Sequence, residues 1–179
     1  MNNINTRGEL DSSALWRIPL EDREVARYLL RDSDVLFNNT NSKALVGKTA
    51  LYQAVAGDEP VVYSNHLTRY RTNEETLAPE WLAAFLRYHW GRGYFERVAT
   101  EWVNQASVRD EIVKAMHIPL PPLPEQQGLA VSLQSKFESI ERLRIAATRQ
   151  MKAAEALPHS MLRDVFGAHQ PPLEEGAIW

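Results

Sequence analysis

Residues 118–156 read IPLPPLPEQQGLAVSLQSKFESIERLRIAATRQMKAAEA, and two physical regimes meet inside them. Four of the seven residues in 118–124 are proline, each without a backbone donor and with φ fixed, so the segment can be neither helix nor central strand. It is a rigid joint. From 124 to 156 there is no further proline and one glycine, Gly128, while Leu129, Leu133, Phe137, Ile140, Leu143, Ala147, Met151 and Ala154 recur at steps of three and four. That period predicts one long helix with an apolar stripe, about 50 Å over 33 residues at about 1.5 Å each. The rest of the chain is too small to cover such a stripe, so it calls for a partner helix. Pro158 predicts a kink or interruption, after which Met161, Leu162, Val165 and Phe166 resume the apolar pattern and Gly167 stops it.

Upstream of the joint the pattern is mixed. Brief β-branched and apolar runs broken by Asp, Asn, Ser, Gly and Pro predict strands at 15–18, 34–37, 45–53, 60–63 and 67–72. Within 19–28, PLEDREVARY, acidic residues precede Arg23 and Arg27, the order that suits a short helix dipole. From Pro79 the spacing of Trp81, Leu82, Phe85, Leu86 and Trp90 is helical, and Gly91 and Gly93 permit a break before 94–102. These aromatics could stack on bases, but their helical spacing favours a core face. The expected class is α+β: a mixed domain with a twisted sheet over 1–117, the joint at 118–124, a coiled-coil-forming helix over 124–167 and a loose tail at 168–179.

Composition narrows the chemistry. The 179 residues are 44% hydrophobic and 24% charged with a net charge of −3, so any contact with a polyanion must be local. No cysteine is present, which removes disulfides, thiolate metal sites and thiol nucleophiles and suits a reducing, cytoplasmic setting. The five histidines never fall at i, i+4, so no metal pair is expected on one helix, and no run approaches about 18 apolar residues. Gly47-Lys48-Thr49 ends like a phosphate loop, but Ser42 stands where its first glycine belongs. Pro121-Pro122 lacks the preceding Asn or Asp and the following aromatic of an amino-methyltransferase. No lysine has an acid two positions before it, as a metal-dependent nuclease requires, and Ser64 near His66 has no glycine elbow. No catalytic residue, metal or cofactor is expected.

Five blocks occur in a telling order: DVLFNNTNSKALVGKTALY, VVYSNHLTRYRTN, PEWLAAFLRYHW, NQASVRDEIVKAMHIPLPPLPEQQGLAVSLQSKFESIERL and LPHSMLRDVFG. From about Ile4 to Gly167 the chain resembles the specificity subunit of type I restriction-modification systems, with the PLPPLPEQ joint and its following helix as the most recognisable feature. Such subunits usually carry two target-recognition domains, each followed by a long helix, the two helices packed antiparallel. On this reading the sequence departs by having one domain and one helix, by lacking the opening block of a recognition domain, and by Asn39 where many relatives have a basic residue. The resemblance implies a non-catalytic DNA-recognition subunit, with double-stranded DNA, methyltransferase subunits and a restriction subunit as partners. A homodimer through the helix stripe would restore two recognition domains and read a split, palindromic target, one half-site per chain. The rival expectation is a truncated interaction module that binds a second copy or methyltransferase subunits without reading DNA.

Candidate DNA contacts are Asn39, Asn41 and Lys43 in a polar stretch, where amides could pair with adenine and Lys43 could reach phosphate or guanine, or where the side chains merely cap their own turn. Lys48 reads as a phosphate contact or a solvated strand residue. Arg69 and Arg71 share a strand face with His66 on the preceding turn, the best small basic patch, with surface ion pairing as the alternative. Arg92 lies in an exposed glycine loop. His89 and His117 read as structural, Gln126 and Gln127 as bonding to the joint, and the Glu and Arg residues of 138–155 as a solvated helix face.

Overall fold

A computed structural model of the chain describes residues 3–11, 13, 15–54 and 59–167. The chain divides into two units, Met1–Leu133 and Gln134–Trp179. The first holds α1 (Asp22–Tyr28), β1 (Val35–Asn38), β2 (Thr40–Asn41), β3 (Thr49–Leu51), β4 (Leu67–Tyr70), α2 (Pro79–Gly91), α3 (Tyr94–Val98), β5 (Thr100–Trp102), β6 (Gln105–Ser107), α4 (Asp110–Lys114) and the start of α5 (Leu123–Gly167). The second is the rest of α5, so the fold is α+β.

Two antiparallel sheets organise the first unit, in the orders β3-β1-β4 and β2-β6-β5. All four residues of β1 are buried, which explains a run without polar alternation. Val35 and Phe37 pack into one core with Ala83 and Leu86 of α2 and Phe95 of α3, while Leu36 joins Ile4, Leu30, Ala50 and Leu67 in a second. Phe37 and Phe95 meet edge to face at 4.9 Å, a favoured aromatic geometry. Gly47 is required here: its φ is +90° and a Cβ would lie 2.5 Å from the Phe95 ring. The Gly-Lys-Thr triplet thus serves a turn over Phe95.

Pro79 opens α2 with no N–H to satisfy, but the Ala78 N–H before it is buried and has no side-chain cap from its own segment. Gln126, 1% exposed, supplies the missing partner: its Oε1 accepts from Ala78 N at 3.0 Å while Nε2 donates to Thr76 O at 3.0 Å and Pro121 O at 2.8 Å. The Trp81 indole N–H donates to Pro119 O at 2.8 Å, so the proline joint is tied to α2 from both sides. Gln126→Ala orphans the buried Ala78 N–H and frees two carbonyls, of Thr76 and Pro121, that water can reach, and is expected to cost about 1–2 kcal/mol, read as a lowered urea midpoint with unchanged slope.

Several sequence expectations need correction. Residues 15–18 form no strand, 45–53 narrows to β3 because 43–47 is a turn, and 60–63 contributes one bridge, Val62 to Leu29. The helical reading of 94–102 ends at Val98: Ala99 is extended, and Thr100 and Trp102, both at home on a pleated surface, enter β5. His117 is exposed rather than packed, whereas His89 lies among Phe85, Tyr88 and Tyr94, and burial followed by the nearby Arg92 lowers its pKa. Pro158 does not interrupt α5, which runs through it to Gly167. Helix on both sides holds the proline, although the N–H that would bond to Ala154 O is missing. The tail at 168–179 lies outside the described residues. Among the described residues no helix is long and apolar enough to cross a membrane.

Along α5 the stripe is open to solvent: Leu129 is 42%, Ile140 59%, Leu143 70% and Met151 58% exposed, and Ala147 and Ala154 are exposed too. Met161 and Leu162 continue it beyond Pro158. Local polar pairs lie outside the stripe, Gln134 with Glu138 at 3.0 Å and Arg144 with Glu141 at 3.3 Å.

Candidate nucleic-acid interface

The chain turns from one sheet to the other at Asn39. Its N–H donates to His66 O at 3.0 Å, its carbonyl accepts from Val108 N at 2.9 Å, and its side-chain amide donates to Asn65 O at 3.2 Å and Thr68 Oγ1 at 3.0 Å. Asn41 is buried in β2, its Oδ1 accepting from Ser42 N at 2.8 Å while its Nδ2 has no partner among the described residues. Just beyond, the Lys43 ammonium meets the Glu101 carboxylate of β5 at 3.0 Å, and that hydrogen bond raises the lysine pKa.

Lys48 is not solvated. It is 5% exposed, its ammonium donates to Ile4 O, and burial lowers its pKa. Such a lysine cannot reach a phosphate without leaving its pocket.

The patch expected from His66, Arg69 and Arg71 is split by strand register. β1 and β4 pair Asn38 with Leu67 and Val35 with Tyr70, so His66 lies at the Asn39 end and Arg71 at the other, beside Asp34. Arg71 grips the fully buried Asp34 carboxylate with two bonds, Nε to Oδ1 at 2.7 Å and Nη2 to Oδ2 at 2.8 Å, which raise its pKa. Arg69 donates to Leu29 O at 2.7 Å and lies over the Tyr63 ring at 5.4 Å. Both arginines therefore brace the second core. Arg92 is exposed at the C-terminus of α2, its guanidinium over the Tyr88 ring at 5.7 Å.

What the sequence reading passed over is the hairpin β5–β6. Trp102 pairs with Gln105, leaving Val103 and Asn104 as a two-residue turn in which Asn104 has φ 65°, a conformation asparagine tolerates. Trp102 is 59% and Val103 90% exposed. The available signal was an Asn between β-forming residues at 100–107, masked by treating Trp102 as the end of a helical stretch.

A mixed α+β unit followed by a proline joint and a striped helix is what the resemblance to type I specificity subunits implies, and comparison with known proteins shows that family. The family model described as the type I restriction modification DNA specificity domain matches residues 24–148, and the chain belongs to that family. It is 32% identical over 121 residues to a putative type I restriction enzyme MjaX specificity subunit of Methanocaldococcus jannaschii, covering 68% of this chain and 28% of that protein. It is 22% identical over 151 residues to the StySPI specificity subunit of Salmonella potsdam, covering 84% and 32%. Against the EcoKI specificity subunit of Escherichia coli it is 22% identical over 160 residues, covering 89% and 34%. The chain thus spans about a third of the length of these curated relatives.

Proposed function

We propose that this chain is the DNA-reading half of a type I specificity subunit, in which two copies pair through α5 and present two recognition units to one duplex. The observation that carries the reading is the exposed stripe from Leu129 to Ala154 on a helix that follows a single recognition unit. Apolar surface at heptad-like spacing is stabilised by a second stripe, and an isologous pair is the simplest closed arrangement. Two identical units at the ends of a helix pair about 50 Å long would read half-sites separated by unread base pairs, because duplex DNA advances about 34 Å per turn. A palindromic split target follows from the two-fold symmetry.

On this reading the chain acts in the cytoplasm without catalysis of its own, directing methyltransferase and restriction subunits to the target. His66 and Arg92 are the side chains of the expected set best able to meet DNA, since Lys43 is held by Glu101. A gel shift with duplex DNA at 50 and 200 mM salt, with and without methyltransferase subunits, tests the reading. Sequence-preferring binding that weakens by an order of magnitude or more over that range is expected. Tight association with methyltransferase subunits and no sequence preference would instead establish the truncated interaction module, a rival favoured by the engagement of Lys48, Arg69 and Arg71 inside the fold.

A further inference from the structure

We infer that the hairpin β5–β6 is the element that enters the major groove, with Gln105 and Asn104 reading base edges and Trp102 and Val103 making apolar contact. This rests on the DNA-recognition reading above and assigns it to residues outside the expected set. Strand register is the first support. In the sheet β2-β6-β5, β2 pairs only with Ala106 and Ser107, so Trp102 to Gln105 project past it as a two-stranded ribbon. A two-stranded ribbon fits the major groove, which is about 12 Å wide in B-form DNA.

The second support is chemical. Trp102 and Gln105, directly opposite each other, share one face with Thr100 and Ser107, whereas Glu101 and Ala106 occupy the other. The reading face and tip therefore present an indole, two amides and two hydroxyls with no charge. Among the described residues no hydrogen bond engages the side chains of Trp102, Asn104 or Gln105. That contrasts with Asn39, Arg69 and Arg71, whose donors are committed within the fold. Side-chain amides can bond bidentately to adenine N6 and N7, and apolar groups contact the thymine methyl.

Electrostatics is the third. Glu101, the ribbon's one acid, would repel phosphates, but Lys43 neutralises it at 3.0 Å. Both residues line a shallow polar depression with Ser42, Trp102, Asn104 and Gln105, next to the reading face. A neutral ribbon is admitted to the groove where an acidic one would be expelled.

The test is selection from a pool of duplexes carrying a randomised segment, using the full chain and the variants Gln105→Ala and Trp102→Ala, each checked for unchanged thermal unfolding. The wild type is expected to enrich a defined sequence. Gln105→Ala should lose discrimination about tenfold or more at one base position per half-site while leaving the other positions intact, a pattern that general loosening of the fold cannot produce. Trp102→Ala should bind the selected duplex more weakly, and replacing its thymines by deoxyuridine should penalise the wild type but not this variant. If both variants enrich the wild-type sequence with unchanged affinity, the hairpin assignment is wrong although DNA recognition stands. If the wild type enriches nothing, DNA recognition fails and the hairpin assignment with it.

Discussion

Replacing Leu143 and Met151 together by glutamate is expected to convert the protein from dimer to monomer at micromolar concentration, with sedimentation velocity as the measurement. In the isolated chain these side chains are 70% and 58% exposed and belong to neither core of the recognition unit, so the substitution should leave folding intact. In an antiparallel pair that overlaps the stripe from Leu129 to Val165 in full, Ala147 falls on the two-fold axis and Leu143 lies opposite Met151 of the second copy. Four carboxylates would then crowd around the axis and repel one another. Burying an unpaired charge costs several kcal/mol, enough to weaken the pair more than a hundredfold. Geometry supplies a sharper arm. Leu143→Lys combined with Met151→Glu places opposite charges across the axis in an antiparallel pair but like charges together in a parallel one, so recovery of the dimer would distinguish the two. A wild type that sediments as a monomer would falsify the pairing outright.

The other large effect lies at the opposite end of the molecule's chemistry. Asp34→Ala is expected to destabilise the recognition unit by about 3 kcal/mol, read from urea unfolding. Asp34 is completely buried, accepts two bonds from Arg71 and one from Arg31 N at 2.7 Å, and immediately precedes the central strand β1. Its removal leaves the Arg31 N–H and the guanidinium without their acceptor, and breaking a buried pair from one side typically costs about 3–5 kcal/mol. The Arg71 side chain is 38% exposed, so water recovers part of the loss and the lower end applies. Arg71→Ala should cost a similar amount, because it strands the buried carboxylate. A weaker gel shift from that variant would therefore report folding, and the Arg71→Met, Asp34→Leu pair, which removes both charges, should regain most of the stability.

Legibility in the sequence followed the length scale of the signal. The joint, α5 and α2 could be read because proline content and three- and four-residue steps are local and repeated. DVLF could be placed as a strand, but not as the central one, since pairing partners are distant in sequence. Gln126 bonding to the joint was expected from adjacency, while its grip on Ala78 and Thr76 needed the tertiary fold. Family kinship was carried by five ordered blocks, none of which depends on any one side chain's neighbours. The basic candidates suffered most from this limit. Arginine and lysine read as exposed unless a buried acceptor claims them, and Asp34, Leu29 O and Ile4 O are such acceptors from distant segments. The hairpin at 100–107 escaped notice because three-residue strands leave too few positions for alternation to register.

Pro158 lies inside α5, on the same side of the helix as Ala154 and Met161. Because it supplies no amide hydrogen, the hydrogen-bond ladder is one rung short there, and unwinding that starts at the C-terminal end loses its cooperative link to the preceding turns. Residues 159–167 should consequently exchange their amide protons faster than 134–154, and a protease should trim the helix back to that point before attacking the remainder. The spacer would then behave as a stiff shaft with a separately melting tip, its working length set by the proline rather than by the last helical residue.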